Sequence, residues 1–284
     1  EGGILDDLII TKHGEDEFYV VTNAGCRDED LAYIAKHLDA FNKENVSNGY
    51  TEHEVMDKQG LLALQGPSSA AVLAKLLPAD FDLSKLTFGQ SAFVDLQLPN
   101  HDPVHVHVAR GGYTGEDGFE ISIPPADTVA VAEALLADAE VELAGLAARD
   151  SLRLEAGMPL YGNELDTGHQ PHASGVGFAV PASKEADFVG RSALVGRDDV
   201  EEVLVGLQGA GRRAARHGYA VLDESGERVG EVTSGAPSPT LGHPIALARV
   251  RRDVAAEGTS LQVDLRGRGE PFTVVATPFY RRER

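Results

Sequence analysis

The chain has 284 residues, of which 45 are Asp or Glu and 25 are Lys or Arg, giving a formal charge of −20 at pH 7. A chain this acidic is repelled by phosphate backbones and anionic bilayers, so nucleic acid and membrane surfaces are poor partners. An apolar share of 42% is enough to build a core and excludes disorder as the main state. Lysine is the scarce base, 7 against 18 Arg. An acid-rich, lysine-poor surface suits concentrated salt, where screening removes self-repulsion, and the expected setting is a halophilic cytoplasm. The single cysteine, Cys26, excludes an internal disulfide and fits a reducing compartment. No stretch approaches the uncharged apolar length of a membrane-spanning helix.

Residues 4–10 and 18–21 read as strands joined by a polar turn, and residues 28–41 as a helix with Leu31, Ile34, Leu38 and Phe41 on one face. Residues 61–64 form a short buried strand. QGPSS then opens a helix with Pro67 near its first turn and Val72, Leu73, Leu76 and Leu77 as its core face. Residues 105–109 and 119–123 make a hairpin around the glycine-rich GGYTGEDG, followed by a helix over 126–137. A second helix, over 144–156, ends at Gly157 as its C-cap. From Val203 onward the segments VLVGLQ, YAVLD, RVGEVTS, IALARV, SLQVDL and FTVVAT are β-type, at the spacing of a small barrel or sandwich. The chain therefore divides into a mixed α/β region, 1–200, and a β region, 201–284.

Asp6 and Asp7 interrupt the apolar run GILDDLII, and strand alternation sends them to opposite faces. Both faces are apolar, so the pattern does not choose between them; a buried Asp tying down a turn and a working carboxylate both stay open. The segment GGYTGEDGFE is neither a Walker loop nor GxGxxG. It can present Tyr113 as a flat surface and Glu120, at the second position of the return strand, as a carboxylate for the donor edge of a planar heterocycle. Taken alone, the segment pattern favours the other reading, a plain tight turn with solvated acids.

In the helix AGLAARDSLRLEAG, Leu143, Leu146, Ala147 and Leu154 form an apolar stripe with Asp150 at its centre and Arg149 and Arg153 off one edge. Either Asp150 closes an internal salt bridge, which helix geometry favours, or Arg149 reaches a ligand while Asp150 holds the scaffold. His101, His105 and His107 lack a nearby Cys or paired carboxylate and read as surface or cross-strand residues, with no metal bound. The absence of GxSxG and of a local motif around Cys26 removes the hydrolases.

The segments GGILDDLII, VVTNAGCRDEDL, LLALQGPSSAAVL, GYTGEDGFEIS, GLAARDSLRLEAGMPLYGNELD, FVGRSAL and GEVTSGAPSPTLGHPIALARV run in order over nearly the whole chain. In them the chain resembles the T-protein family of the glycine cleavage system, tetrahydrofolate-dependent aminomethyltransferases. The resemblance implies an α+β fold, with two interleaved α/β subdomains around a folate site and a C-terminal β-barrel. Family members carry several tens of residues before the first of these segments, so an N-terminal segment is expected to be absent here.

Residue by residue, the resemblance assigns the catalytic aspartate to Asp7, the pterin-gripping glutamate to Glu120, an aromatic pocket lining to Tyr113 and the folate-site arginine to Arg149. Tyr280 is a loose match to a C-terminal tyrosine, and Lys184 and Arg191 receive no role. Tetrahydrofolate is the implied co-substrate and a lipoyl-bearing H-protein the implied partner. The alternatives sharing this fold are a folate-dependent demethylase, the folate domain of an amine oxidase, and a folate-binding protein without turnover. An iron–sulfur maturation factor fits least, since its KGCYxGQE-like signature is not found.

Overall fold

A computed structural model describes residues 2–47, 49–197 and 199–282. The chain forms two compact units woven from alternating parts of the sequence, one of Leu8–Gly112 and Glu116–Ala144, the other of Glu1–Asp7, Tyr113–Gly115 and Gly145–Arg284.

The first unit opens with a hairpin of β1 (Ile9–Lys12) and β2 (Phe18–Val21), followed by helix α1 (Arg27–Glu44). Strand β3 (Gly60–Gln65), helix α2 (Ser69–Ala74), strands β4 (Ser91–Leu96), β5 (Val104–Arg110) and β6 (Gly118–Ile123), and helix α3 (Thr128–Leu136) complete it. The four later strands make an antiparallel sheet in the order β3-β6-β5-β4. Alternation along β5 and β6 sends Val104, Val106, Val108, Phe119, Ile121 and Ile123 to one face. There they close a core with Val72 and Leu73 of α2 and Val131 and Leu135 of α3. Strand β4 has no counterpart in the sequence reading, although SAFVDL alternates as its neighbours do.

The opposite face of this sheet carries His105 and His107, and they divide between the two readings: His105 is a surface residue and His107 a cross-strand one, opposite Phe93 and Ser122. His105 is exposed and bonded through Nδ1 to Asp95 Oδ1 at 2.7 Å. His107 is only 5% exposed. Its Nε2 lies 3.0 Å from His13 Nε2, and Tyr19 stacks on its ring with centroids 4.0 Å apart while donating from its hydroxyl to Ser122 at 2.8 Å. The first hairpin, invisible as a neighbour in the sequence, supplies this cover.

Burial, then the neighbouring His13, holds the His107 imidazole down at about 4 from its ordinary 6.5. The unfolded chain titrates near the ordinary value, so between these limits it binds more protons than the folded one, and stability is lost as pH falls through the window. The expected loss is about 2–3 kcal/mol, read as a fall in urea midpoint between pH 7 and pH 4. His107→Phe, which keeps the ring packing, should remove that part of the pH dependence; an unaltered profile in the variant would refute the assignment.

The second unit contains helix α4 (Leu146–Glu155), the short helix α5 (Arg191–Leu194) and six strands, β7 (Glu202–Gly209), β8 (Ala220–Leu222), β9 (Arg228–Pro237), β10 (Pro244–Arg251), β11 (Ser260–Asp264) and β12 (Gly269–Val275). They close into a barrel in the order β10-β7-β12-β11-β8-β9. Leu207, Val221, Val232, Ala246, Ala248, Val250, Leu261, Val263 and Phe272 fill its interior. Along β10 the alternate residues Ile245 and Leu247 face outward and pack on Leu154 of α4.

Two expectations, one about the segment ahead of β1 and one about α4, are corrected. The predicted strand over 4–10 begins only at Ile9. Ahead of it, Ile4 donates its N–H to the Asp166 carbonyl at 2.9 Å and accepts from the Tyr161 hydroxyl at 3.3 Å, so its backbone is tied to a loop instead of a ladder. The predicted apolar stripe of α4 is real only at Leu154, since Leu143 and Leu146 are 86% and 85% exposed. What α4 buries is its last turn, where Arg153 and Glu155 flank Leu154 and meet hydroxyls of the barrel. Gly157 follows with φ +68°, the left-handed position a C-cap glycine takes. Among the described residues no helix is long and apolar enough to cross a membrane.

Candidate functional site

Tyr113 belongs to the second unit, in the three-residue segment Tyr113–Gly115, whose Gly115 lies against the C-terminal end of α4. Gly115 has φ +77°, and a Cβ there would stand 2.9 Å from Cβ of Ala156, so the approach requires glycine. The Tyr113 hydroxyl donates to the Pro159 carbonyl. Arg149, in the first half of α4, lays its guanidinium carbon 4.9 Å from the Tyr113 ring centroid. Desolvation is the main cause that pushes the phenol up to about 12; Glu164 and Asp7 push the same way, and Arg153 and Arg149 oppose them. Tyr113 is therefore a neutral hydroxyl across the neutral range, able to donate.

Asp7 lies in the irregular segment ahead of β1 and is exposed. The strand-alternation argument does not apply to it; what fixes its neighbourhood is the two-sided tie at Ile4 and the close approach of Gly3, where a Cβ would fall 1.8 Å from the Thr167 carbonyl oxygen. Its charge is felt at the Tyr113 phenol. Tyr280, the loose match, donates its backbone N–H to the Glu155 carbonyl at 2.8 Å, at the end of α4. Lys184 rests over Phe188 at 5.4 Å, and its carbonyl accepts from Arg191 at 2.6 Å.

Beneath this group lies a buried network that sequence reasoning missed. Arg153 donates to Asp150 from Nε at 2.8 Å, to Glu164 from Nη1 at 3.1 Å and to Ser234 from Nη2 at 2.7 Å. Asp150 thus closes a salt bridge within its helix, as helix geometry favoured. Glu155 accepts from the Ser238 hydroxyl at 2.5 Å and the Thr240 hydroxyl at 2.7 Å, fastening the same helix to the barrel. The signal available in sequence was the i,i+3 pair Asp150 and Arg153; nothing marked Glu164 as its third member.

Glu120 belongs to the first unit. It is the third residue of β6, paired across the sheet with Ala63 and Ala109, on the face opposite Phe119 and Ile121. It is half-buried, and its carboxylate makes no hydrogen bond among the described residues. The turn before it is not a set of solvated acids. Asp117 grips Arg110 with two bonds of 2.9 and 2.6 Å, and the Gln65 amide donates to the Gly111 and Phe119 carbonyls at 3.1 and 3.3 Å. A Cβ at Gly118 would fall 2.4 Å from that amide, so glycine here leaves the Gln65 side chain room for its two bonds. The structure thus gathers Asp7, Tyr113 and Arg149 in one unit and sets Glu120 on the sheet of the other.

A helix-backed antiparallel sheet in one unit and a closed barrel with its attached helix in the other place the chain in the class of α+β proteins with a C-terminal β-barrel. Residues 1–184 match the family described as the GCVT N-terminal domain, and residues 203–281 the glycine cleavage T-protein C-terminal barrel domain. The chain is 48% identical to the aminomethyltransferase of Saccharopolyspora erythraea, over 99% of its own length and 74% of that protein's. It is 45% identical to the aminomethyltransferase of Streptomyces coelicolor, over 100% of its length and 75% of that protein's. The crystal structure of glycine cleavage system aminomethyltransferase T from Bartonella henselae is similar with a TM-score of 0.83 and 37% identity, covering 98% of this chain and 73% of that one. The chain belongs to the glycine cleavage T-protein family and is an aminomethyltransferase.

Proposed function

We propose that this aminomethyltransferase uses tetrahydrofolate as acceptor, with Asp7, Tyr113, Glu120 and Arg149 as its contacts and a lipoyl-bearing H-protein as donor. The observation that carries the reading is the guanidinium of Arg149 over the half-buried Tyr113 ring, and the negative charge of Asp7 acts on the same phenol. All three stand at positions that resemble the family's folate site. The carboxylate of Glu120, which makes no hydrogen bond among the described residues, suits the paired N–H donors of a pterin edge.

In the proposed reaction the methylene carbon leaves an aminomethyl group held on the dihydrolipoyl sulfur. Its bonds to nitrogen and to sulfur break, and two bonds to folate nitrogens form. The two protons displaced from those nitrogens go to the departing ammonia and thiol. Folate supplies the attacking nitrogens, so the protein contributes position and proton handling. Asp7 orients the reacting nitrogen and accepts or relays a proton as positive charge develops there. Glu120 and Tyr113 fix the heterocycle, and Arg149 completes the polar wall.

Glu120→Gln replaces one acceptor of the fork with a donor that faces a donor. Tetrahydrofolate affinity should fall about tenfold or more in a calorimetric titration, without loss of the fold. Wild-type affinity in that variant would remove Glu120 from the site.

A further inference from the structure

The Pro159–Leu160 peptide is engaged at both ends. Its carbonyl accepts the Tyr113 hydroxyl. Its N–H donates to Glu164 Oε2 at 2.9 Å. The same carboxylate oxygen accepts from Arg153 Nη1 at 3.1 Å, and Arg153 is itself held by Asp150 and Ser234. Glu164 is 0% exposed, and its other oxygen, Oε1, has no hydrogen-bond partner among the described residues.

A buried carboxylate with an unused oxygen is an expensive way to pack a loop, because apolar replacements of buried ion pairs are often neutral or stabilising. The oxygen that is used sits on the far side of one peptide from Tyr113. A peptide whose N–H is bound to a carboxylate is polarised, and its carbonyl becomes a stronger acceptor.

We propose that Glu164 is a positioning residue for the transfer reaction, fixing the Tyr113 hydroxyl through the Pro159–Leu160 peptide and so setting the ring against which folate binds. This rests on the reading of Tyr113 as a folate contact. Glu164 touches no substrate. Its charge also helps hold the phenol in its neutral, donating form. Nothing in the local sequence NELD distinguishes this glutamate from a solvated one.

The test is a double-mutant cycle of Glu164→Gln and Tyr113→Phe, read as tetrahydrofolate affinity by calorimetry, with far-UV circular dichroism to verify folding. Glu164→Gln alone should weaken binding about fivefold, and in the Tyr113→Phe background it should have no further effect. In turnover, KM for tetrahydrofolate should rise while kcat at saturating folate holds.

Equal losses in both backgrounds would make Glu164 a scaffold residue only and overturn the proposal. So would an unchanged affinity in Glu164→Gln when Tyr113→Phe is weakened. Wild-type affinity in Tyr113→Phe itself would instead overturn the pocket reading on which the proposal rests. Should Glu164→Gln fail to fold, Glu164→Asp draws the carboxylate back by one methylene and enters the same cycle with the same outcomes.

Discussion

Replacing Asp7 by Asn is expected to lower kcat about a hundredfold or more while leaving the melting temperature and tetrahydrofolate affinity nearly unchanged. The exposure of Asp7 makes the prediction sharp: an isosteric neutralisation there disturbs no packed core. The segment that carries it is held through backbone bonds at Ile4, which the substitution does not touch. What the variant loses is a charge that acts on the half-buried Tyr113 phenol and a group able to accept a proton from the attacking nitrogen. The effect should therefore appear in kcat, with KM for folate moving little. Unchanged kcat in a folded Asp7→Asn protein would take Asp7 out of the mechanism.

Arg153→Met carries the largest expected loss of stability, about 3–5 kcal/mol, because it leaves the wholly buried Glu164 without its cation. The variant also gives up the bond to Ser234 that ties α4 to the barrel. A second substitution separates these causes. Glu164→Leu in the same chain removes the stranded charge, so the double variant should recover most of the loss when both are compared by urea unfolding. If the double variant were as unstable as the single one, the cost would lie in lost packing and in the Ser234 bond.

The strands of the barrel were legible because each alternates or runs apolar over a short span between turn residues, from VLVGLQ to FTVVAT, and the observed strands fall on those segments; the pattern left barrel and sandwich open, and only the family resemblance pointed to the barrel. The hairpin around GGYTGEDG was legible for the same reason. Strand 4–10 was overread: GILDDLII has the composition of a strand, but the backbone of Ile4 finds its partners at Asp166 and Tyr161, far along the chain. The stripe on α4 failed for a related reason. The barrel offers that helix the hydroxyls of Ser234, Ser238 and Thr240, so two charged residues are buried and Leu146 is left outside, while Leu143 lies ahead of the helix. Propensity and periodicity do not register partners of this kind.

The candidate site divides along the same line. Asp7, Tyr113, Glu120 and Arg149 were named through family-like motifs, and the contact of Arg149 with Tyr113 gives two of them a common place. The support beneath them was not legible. Tyr113 is held by a backbone carbonyl 46 residues away, and Glu164 acts on that peptide through an N–H, so no pairing of side-chain types encodes the link.

The most direct test of the account is incubation of the purified protein with aminomethyl-loaded lipoyl H-protein, with and without tetrahydrofolate. Ammonia and methylenetetrahydrofolate should form in equal amounts, with folate required and the reduced lipoyl carrier returned. A folded protein that binds folate and H-protein yet forms no methylenetetrahydrofolate, or that releases ammonia at the same rate without folate, would contradict it.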